Sequence, residues 1–167
     1  MTRVAADGSL LLLEQQDRSR WDRAGIDAGL ALVREALRPK PPRRFALQAA
    51  IAAVHADAAR YDDTDWREIV ALYDLLLQVW PSPVVALNRA VAVGMADGAA
   101  AGIAALDALR DEPALVGYPY YAAARGDFLR RLGQAEPART AYEEALLLTA
   151  NEVERTFLER RLREVGG

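Results

Sequence analysis

The chain has no cysteine among its 167 residues. That removes disulfide frameworks, thiolate metal sites, iron–sulfur clusters and cysteine nucleophiles together, and it fits a reducing, cytoplasmic compartment. It has one histidine, His55, too few for an HExxH zinc site or a two-histidine iron triad, and it leaves a serine–histidine pair no spare base. Lys40 is the single lysine among 21 basic residues, which face 24 acidic ones for a net charge of −3. Such a balance supplies no general attraction to a phosphate backbone or an anionic lipid surface, so this chain alone is not expected to bind DNA directly. Valine, isoleucine and threonine are scarce, 21 in all against 34 alanines and 23 leucines, which disfavours an all-β or Rossmann architecture. Apolar runs extend only a few residues, and the N-terminus has no basic start, apolar stretch and small-residue cleavage site, so neither a membrane span nor a signal peptide is expected. GxxxxGK[ST], GxGxxG and GxSxG are all missing, leaving phosphate cradles and nucleophile elbows without support. The expectation is a non-enzyme with no cofactor and no metal site.

What is present is helix. With 52% hydrophobic residues the chain can bury a core without staples. Residues 1–16 stand apart as an extended or hairpin arm around Asp7-Gly8, with Leu10 to Leu13 apolar on both faces and in need of something to pack on. Ser19 and Asp22 read as a capping box for a first helix carrying Trp21, Ile26, Leu30, Val33 and Leu37 on one face, stopped by Pro39, Pro41 and Pro42. A second helix is expected over about 44–60, a third from the Asp65/Glu68 capping pair to Val79 or Trp80, and a fourth over 84–96. The fifth covers 99–110, the sixth opens at Pro119 and ends near Gly133, Pro137 opens the seventh, and Asn151 with Glu154 caps the eighth. That eighth helix carries Val153, Phe157, Leu158, Leu162 and Val165 as a single apolar stripe.

The helices recur at a fixed interval. Gly98 and Gly133 are 35 apart and Thr64 stands 34 before Gly98; Ile69, Ile103 and Ala138, then Tyr73, Asp107 and Tyr142, then Leu76, Arg110 and Ala145 fall at equivalent places. A helix-turn-helix period of 34 residues is that of tetratricopeptide repeats, and Gly126 to Leu146 resembles one such unit, with small residues for close approach and Tyr142 as filler. The expected fold is therefore all-α: a tetratricopeptide-like α-solenoid of antiparallel hairpins, about eight helices over residues 17–167. Its repeats fall near 50–83, 84–117 and 119–152, with a capping helix at 151–165. Asp107 and Arg110 depart from the aromatic and alanine of the pattern, which makes the middle unit the loosest.

First helices of such hairpins line the concave side of a solenoid. Counting the period through places Asn88, Met95, Tyr120, Asp127 and Arg130 there, a mixed polar and aromatic groove suited to a protein partner and not needed to hold the hairpins together. Asn88 either braces a turn or contacts a ligand. His55 reads as a partly exposed helix residue; Asp62, Asp63 and Asp65 read as helix capping, since they lack the glycine and distant glutamate of a calcium loop. The basic runs Arg38 to Arg44 and Arg155 to Arg163 read as a solvated, ion-paired face.

Three stretches go beyond a generic repeat: Asp7-Gly-Ser-Leu-Leu-Leu-Leu-Glu-Gln-Gln-Asp-Arg-Ser-Arg-Trp-Asp22, Ser82-Pro-Val-Val-Ala-Leu-Asn-Arg-Ala-Val-Ala-Val93 and Arg130-Arg-Leu-Gly-Gln-Ala-Glu-Pro-Ala-Arg-Thr-Ala-Tyr142. Together they resemble the C-terminal extension of a group of bacterial extracytoplasmic-function RNA polymerase sigma factors. The resemblance implies a regulatory, protein-interaction domain acting in transcription initiation, excised from a longer chain whose promoter-binding domains precede it. It also implies the partners: those domains in cis, RNA polymerase or a regulatory protein. The rival expectation is a stand-alone ligand sensor or enzyme that uses the groove.

Overall fold

The computed structural model describes residues 13–166. Among them there are eight α-helices and no strand: α1 (Arg23–Ala36), α2 (Arg44–Asp57), α3 (Trp66–Val79), α4 (Pro83–Asp97), α5 (Ala99–Asp107), α6 (Pro119–Arg131), α7 (Ala135–Leu148) and α8 (Glu152–Val165). Asp7-Gly8 and most of the expected extended arm lie outside the described residues, and over Leu13–Gln15 the chain is a 3-10 turn, not an extended strand. Ser19 is not the cap of α1. Two aspartates divide that work: Asp17 accepts from the Ser19 amide at a 3-10 turn over Arg18–Arg20, and Asp22 accepts from Gly25 N at 3.0 Å to open α1.

The chain forms two units, Met1–Arg89 and Ala90–Gly167, with the boundary inside α4. In the first, ion and ring contacts fix the helix directions. Arg23 at the start of α1 meets Asp57 at the end of α2 (2.7 Å), and Arg44 at the start of α2 lies 4.5 Å from the Trp80 ring that follows α3. Successive helices here are antiparallel. Leu47, Ile51, Ile69, Leu72 and Leu76 bury the apolar faces of α2 and α3, whereas α1 has no fully buried residue. The Arg18 guanidinium is the exception among charges, 8% exposed. Its Nη1 donates to the carbonyls of His55 (2.8 Å) and Ala58 (2.9 Å) at the end of α2, where helix carbonyls run out of amide partners, and to that of Arg60 (3.3 Å), which also accepts from Asp63 N at 3.1 Å. Trp21 and Tyr61 place their rings 5.1 and 5.8 Å from it. Next to it His55 is half-buried with its ring edge-on to Trp66 at 5.1 Å. Burial, and then the Arg18 charge, hold the imidazole below the usual histidine range.

In the second unit the turn between α6 and α7 is a Schellman cap: Gly133 takes φ +72°, its amide donates to Arg130 O, and Gln134 N donates to Leu129 O, both at 3.0 Å. α7 starts at Ala135, two residues before Pro137. Proline is tolerated there because first-turn amides have no carbonyl to reach. Tyr142, 1% exposed, lies against Gly126, whose missing Cβ would sit 2.8 Å from the tyrosine ring. Ala122, Leu129, Ala138, Ala141 and Ala145 complete this core, and α8 closes it with Leu158 buried and Phe157, Leu162 and Val165 packed alongside. Val153 is left out of the stripe, 43% exposed, because it falls in the first turn of α8.

Candidate functional site

The middle hairpin shows what the two departures from the repeat pattern do. α5 ends at Asp107, short of the expected 110, and Asp107 replaces a ring with a carboxylate. That carboxylate accepts from Arg125 Nη1 on α6 and from Arg110 Nη2 at 2.9 Å. The Arg125 hydrogen bond, with Arg110 behind it, holds Asp107 below the ordinary carboxylate range. Tyr121 adds a bond to Leu106 O at 3.1 Å. Between these groups opens a cleft of about 330 Å³ lined by Arg110, Leu115, Val116, Tyr121, Arg125 and Glu144, mixed in polarity and open to solvent.

The residues expected to line a groove fall in both units. Asn88 belongs to the first; it is exposed and makes no hydrogen bond among the described residues, so it is not a buried brace. Met95, Tyr120, Asp127 and Arg130 belong to the second, where they are tied into the fold. Tyr120, 49% exposed, donates its hydroxyl to Glu154 on α8, and Glu154 also accepts from Thr149 Oγ1 at 2.6 Å. The Glu154 bond raises the Tyr120 pKa. Asp127 is a node for three guanidiniums: Arg130 Nη2 at 2.7 Å, Arg131 Nε at 2.8 Å and Arg161 Nη2 of α8 at 3.9 Å. Arg131 Nη1 reaches Met95 Sδ at 3.1 Å. Burial pulls the Arg130 pKa down, but the interactions with Asp127 and Tyr142 together outweigh it and the net shift is upward.

These side chains therefore do two things at once. They present an arginine-rich row on α6 and α8, and they cross-link α6 to α8, against the expectation that they are dispensable for the hairpins. α8 adds Arg160 and Arg161 against the Phe157 ring at 5.6 and 5.2 Å, and Arg161 Nη1 binds Glu164 at 2.8 Å. The sequence reading missed Arg161, although its i, i+3 spacing to Glu164 was visible. The Arg155–Arg163 run, expected as a solvated, ion-paired face, is only partly so: Arg161 pairs with Glu164, which it holds below the usual range, but the Arg161 side chain is 14% exposed and Arg155 donates to Leu146 O at 3.0 Å. In the acidic cluster Asp65 caps α3 through Glu68 N at 2.9 Å and Asp63 accepts two bonds from Arg60, both 3.0 Å.

Among known proteins, a family of unknown function, DUF6596, matches residues 1–37. The chain is also similar to the uncharacterized protein R00370 of Rhizobium meliloti (strain 1021), 44% identical over 160 residues. The match takes in 96% of this chain but 37% of that protein, so the chain spans little more than a third of the length of the relative. No solved structure matches. Among the described residues no helix is long and apolar enough to cross a membrane.

Proposed function

We propose that this chain is a regulatory, protein-interaction domain of a larger protein of the extracytoplasmic-function sigma-factor type, acting in transcription initiation through its neighbours and not by catalysis. The observation that carries the reading is the match of nearly the whole chain to about a third of a longer relative, the pattern of a module that works beside other domains. The resemblance of residues 7–22, 82–93 and 130–142 supplies the sigma-factor context. A tetratricopeptide-like solenoid fits the 34- and 35-residue spacing, with Ile69, Leu76, Ala138, Tyr142 and Ala145 all buried at repeat-equivalent places. The promoter-binding domains in cis, RNA polymerase or a regulatory protein are the partners this reading names, in the cytoplasm.

The test uses the longer protein. Removing the segment equivalent to residues 1–167 should leave promoter-DNA binding in place and abolish regulated transcription. Unchanged regulation, or loss of promoter binding itself, overturns the reading. The cleft around Arg110, Tyr121 and Arg125 favours a second reading, a ligand-sensing domain, which a co-purifying small molecule lost on Arg125→Ala would support.

A further inference from the structure

One end of the first unit gathers cations with almost no acid beside them. The antiparallel order of α1, α2 and α3 brings the α1–α2 connection, the start of α2 and the end of α3 to the end opposite the Arg23–Asp57 pair. Arg34, Arg38, Lys40, Arg43 and Arg44 are collected there, all exposed. Glu35 is the single acid between Asp27 and Asp57, and no acid occurs over 75–89. None of the five cations has a carboxylate partner among the described residues, whereas Arg23, Arg60, Arg89, Arg125, Arg130 and Arg139 each have one. Ion pairs are thus present in the second basic run and missing from the first, where Glu35 is the one nearby acid and pairs with none of the five cations. An unpartnered excess of four positive charges persists in a chain whose net charge is −3.

The same end exposes large apolar groups. Phe45 is 70% and Leu32 67% exposed, with Val79 and Val84 beside Trp80 in sequence and partly open. Arg44 lies between two rings, 4.4 Å from Phe45 and 4.5 Å from Trp80. An arginine fixed by aromatic faces around exposed apolar side chains is the composition of an interface centre, with a cationic rim. Pro39, Pro41 and Pro42 restrict the connection that carries Arg38, Lys40 and Arg43, which lowers the ordering cost of binding.

We propose that this end of the first unit is a docking surface for an acidic amphipathic helix of a partner protein. Charge complementarity calls for carboxylates on the occupant, and Leu32, Phe45 and Val79 call for an apolar stripe beside them. Nucleic acid would answer the cations but has little use for exposed aliphatic groups. With no sheet edge among the described residues, strand addition is not available, and a helix laid on helices is the packing left. The proposal stands whether or not the larger protein is a sigma factor.

The probe is a fluorescein-labelled 20-residue peptide with leucine and phenylalanine at i, i+3, i+4 and i+7 and glutamate or aspartate elsewhere. It is titrated with the full 167-residue chain and followed by anisotropy. Saturable binding is expected, about tenfold weaker or more for a same-composition peptide with the apolar spacing scrambled. A comparable loss is expected for Arg38→Glu/Arg43→Glu and for Phe45→Ser, whose circular dichroism should match the parent because all three side chains are exposed. No saturable binding, equal binding of the scrambled peptide, or undiminished binding by both variants overturns the proposal. So does tighter binding of a labelled single- or double-stranded DNA 20-mer, or displacement of the peptide by self-association of the chain.

Discussion

Gly94 on α4 and Gly102 on α5 form a notch that Phe128 of α6 fills. A Cβ built on Gly94 would stand 2.1 Å from Phe128 Cζ, and one on Gly102 would stand 2.6 Å from Cε2 and 2.8 Å from Gly94 Cα. Carbon atoms pack best at about 3.5–4.0 Å, so Gly94→Ala requires the ring to retreat by roughly 1.5 Å. Phe128 is 2% exposed, and its neighbours leave it nowhere to go. Overpacking of this kind costs about 1–3 kcal/mol. Against it stands the better helix propensity of alanine, about 1 kcal/mol. The net expectation is a loss of about 1–2 kcal/mol in urea unfolding followed by far-ultraviolet circular dichroism. Gly29→Ala in α1 is the control: no atom lies within 4 Å of its Cβ position, so only the propensity gain of about 0.5–1 kcal/mol remains. Phe128→Leu alone should lose about 1–2 kcal/mol as a cavity. Combined with Gly94→Ala, the methyl should occupy part of that cavity, and the pair should be less destabilised than the two single losses together by about 1 kcal/mol. If Gly94→Ala stabilises the chain as Gly29→Ala does, or if the two changes at the notch are additive, the glycines are not there to admit the ring.

Deleting 151–167 strips Leu158 and much of Phe157 and Leu162 from the Leu129–Tyr142 core. That is about 4–6 kcal/mol of burial, and the second unit should lose its cooperative transition and aggregate; an unchanged melting curve and monomeric elution would refute this. Asp127→Ala leaves three guanidiniums facing one another at a site where the carboxylate is 25% exposed. It should lower stability by about 1–2 kcal/mol, whereas a loss below about 0.3 kcal/mol would show that the α6–α8 node is ornamental. His55 titrates alone in the near-neutral range of side chains, and its folded pKa lies below its unfolded one. The stability it contributes is therefore full above about pH 6.5 and is lost as pH falls through the folded value. An imidazole resonance titrating at or above the free histidine value would contradict the burial, and Arg18→Gln should move that resonance to higher pKa.

What could be read from the sequence is what short-range chemistry decides. Asp65 and Asn151 cap α3 and α8 because a short polar side chain reaches amides two or three residues on, and both bonds are present, Asn151 holding Val153 N at 2.9 Å and Glu154 N at 3.3 Å. Tyr142 against Gly126 follows from the small-residue pattern of one hairpin. Ser19 misled because it satisfies the same pattern as its neighbours; Asp17 and Asp22 carry charge and take the amides instead. The candidate groove was legible only as a list of positions. Spacing places Tyr120, Asp127 and Arg130 along one helix but does not say that α8 returns Glu154 and Arg161 to meet them, contacts separated by 34 residues in both cases.

Arg18 is the extreme case. Its three carbonyl partners lie 37, 40 and 42 residues away, and nothing local marks an arginine in an Asp-Arg-Ser-Arg stretch for burial. Burying a guanidinium calls for acceptors that replace water, and the carbonyls of His55, Ala58 and Arg60 supply them to Nη1, while Nε and Nη2 are buried without a hydrogen-bond partner among the described residues. The contrast with Arg38 to Arg44 follows from the same rule. There the helix ends are stopped by prolines, no carboxylate pairs with the cations among the described residues, and they stay in water with their charge undischarged. One cationic stretch is consumed by the fold while the other is left for something outside it. Replacing Arg18 with glutamine should therefore unravel the end of α2, visible as faster amide exchange over 55–60, while Arg43→Gln should leave exchange throughout the first unit unchanged.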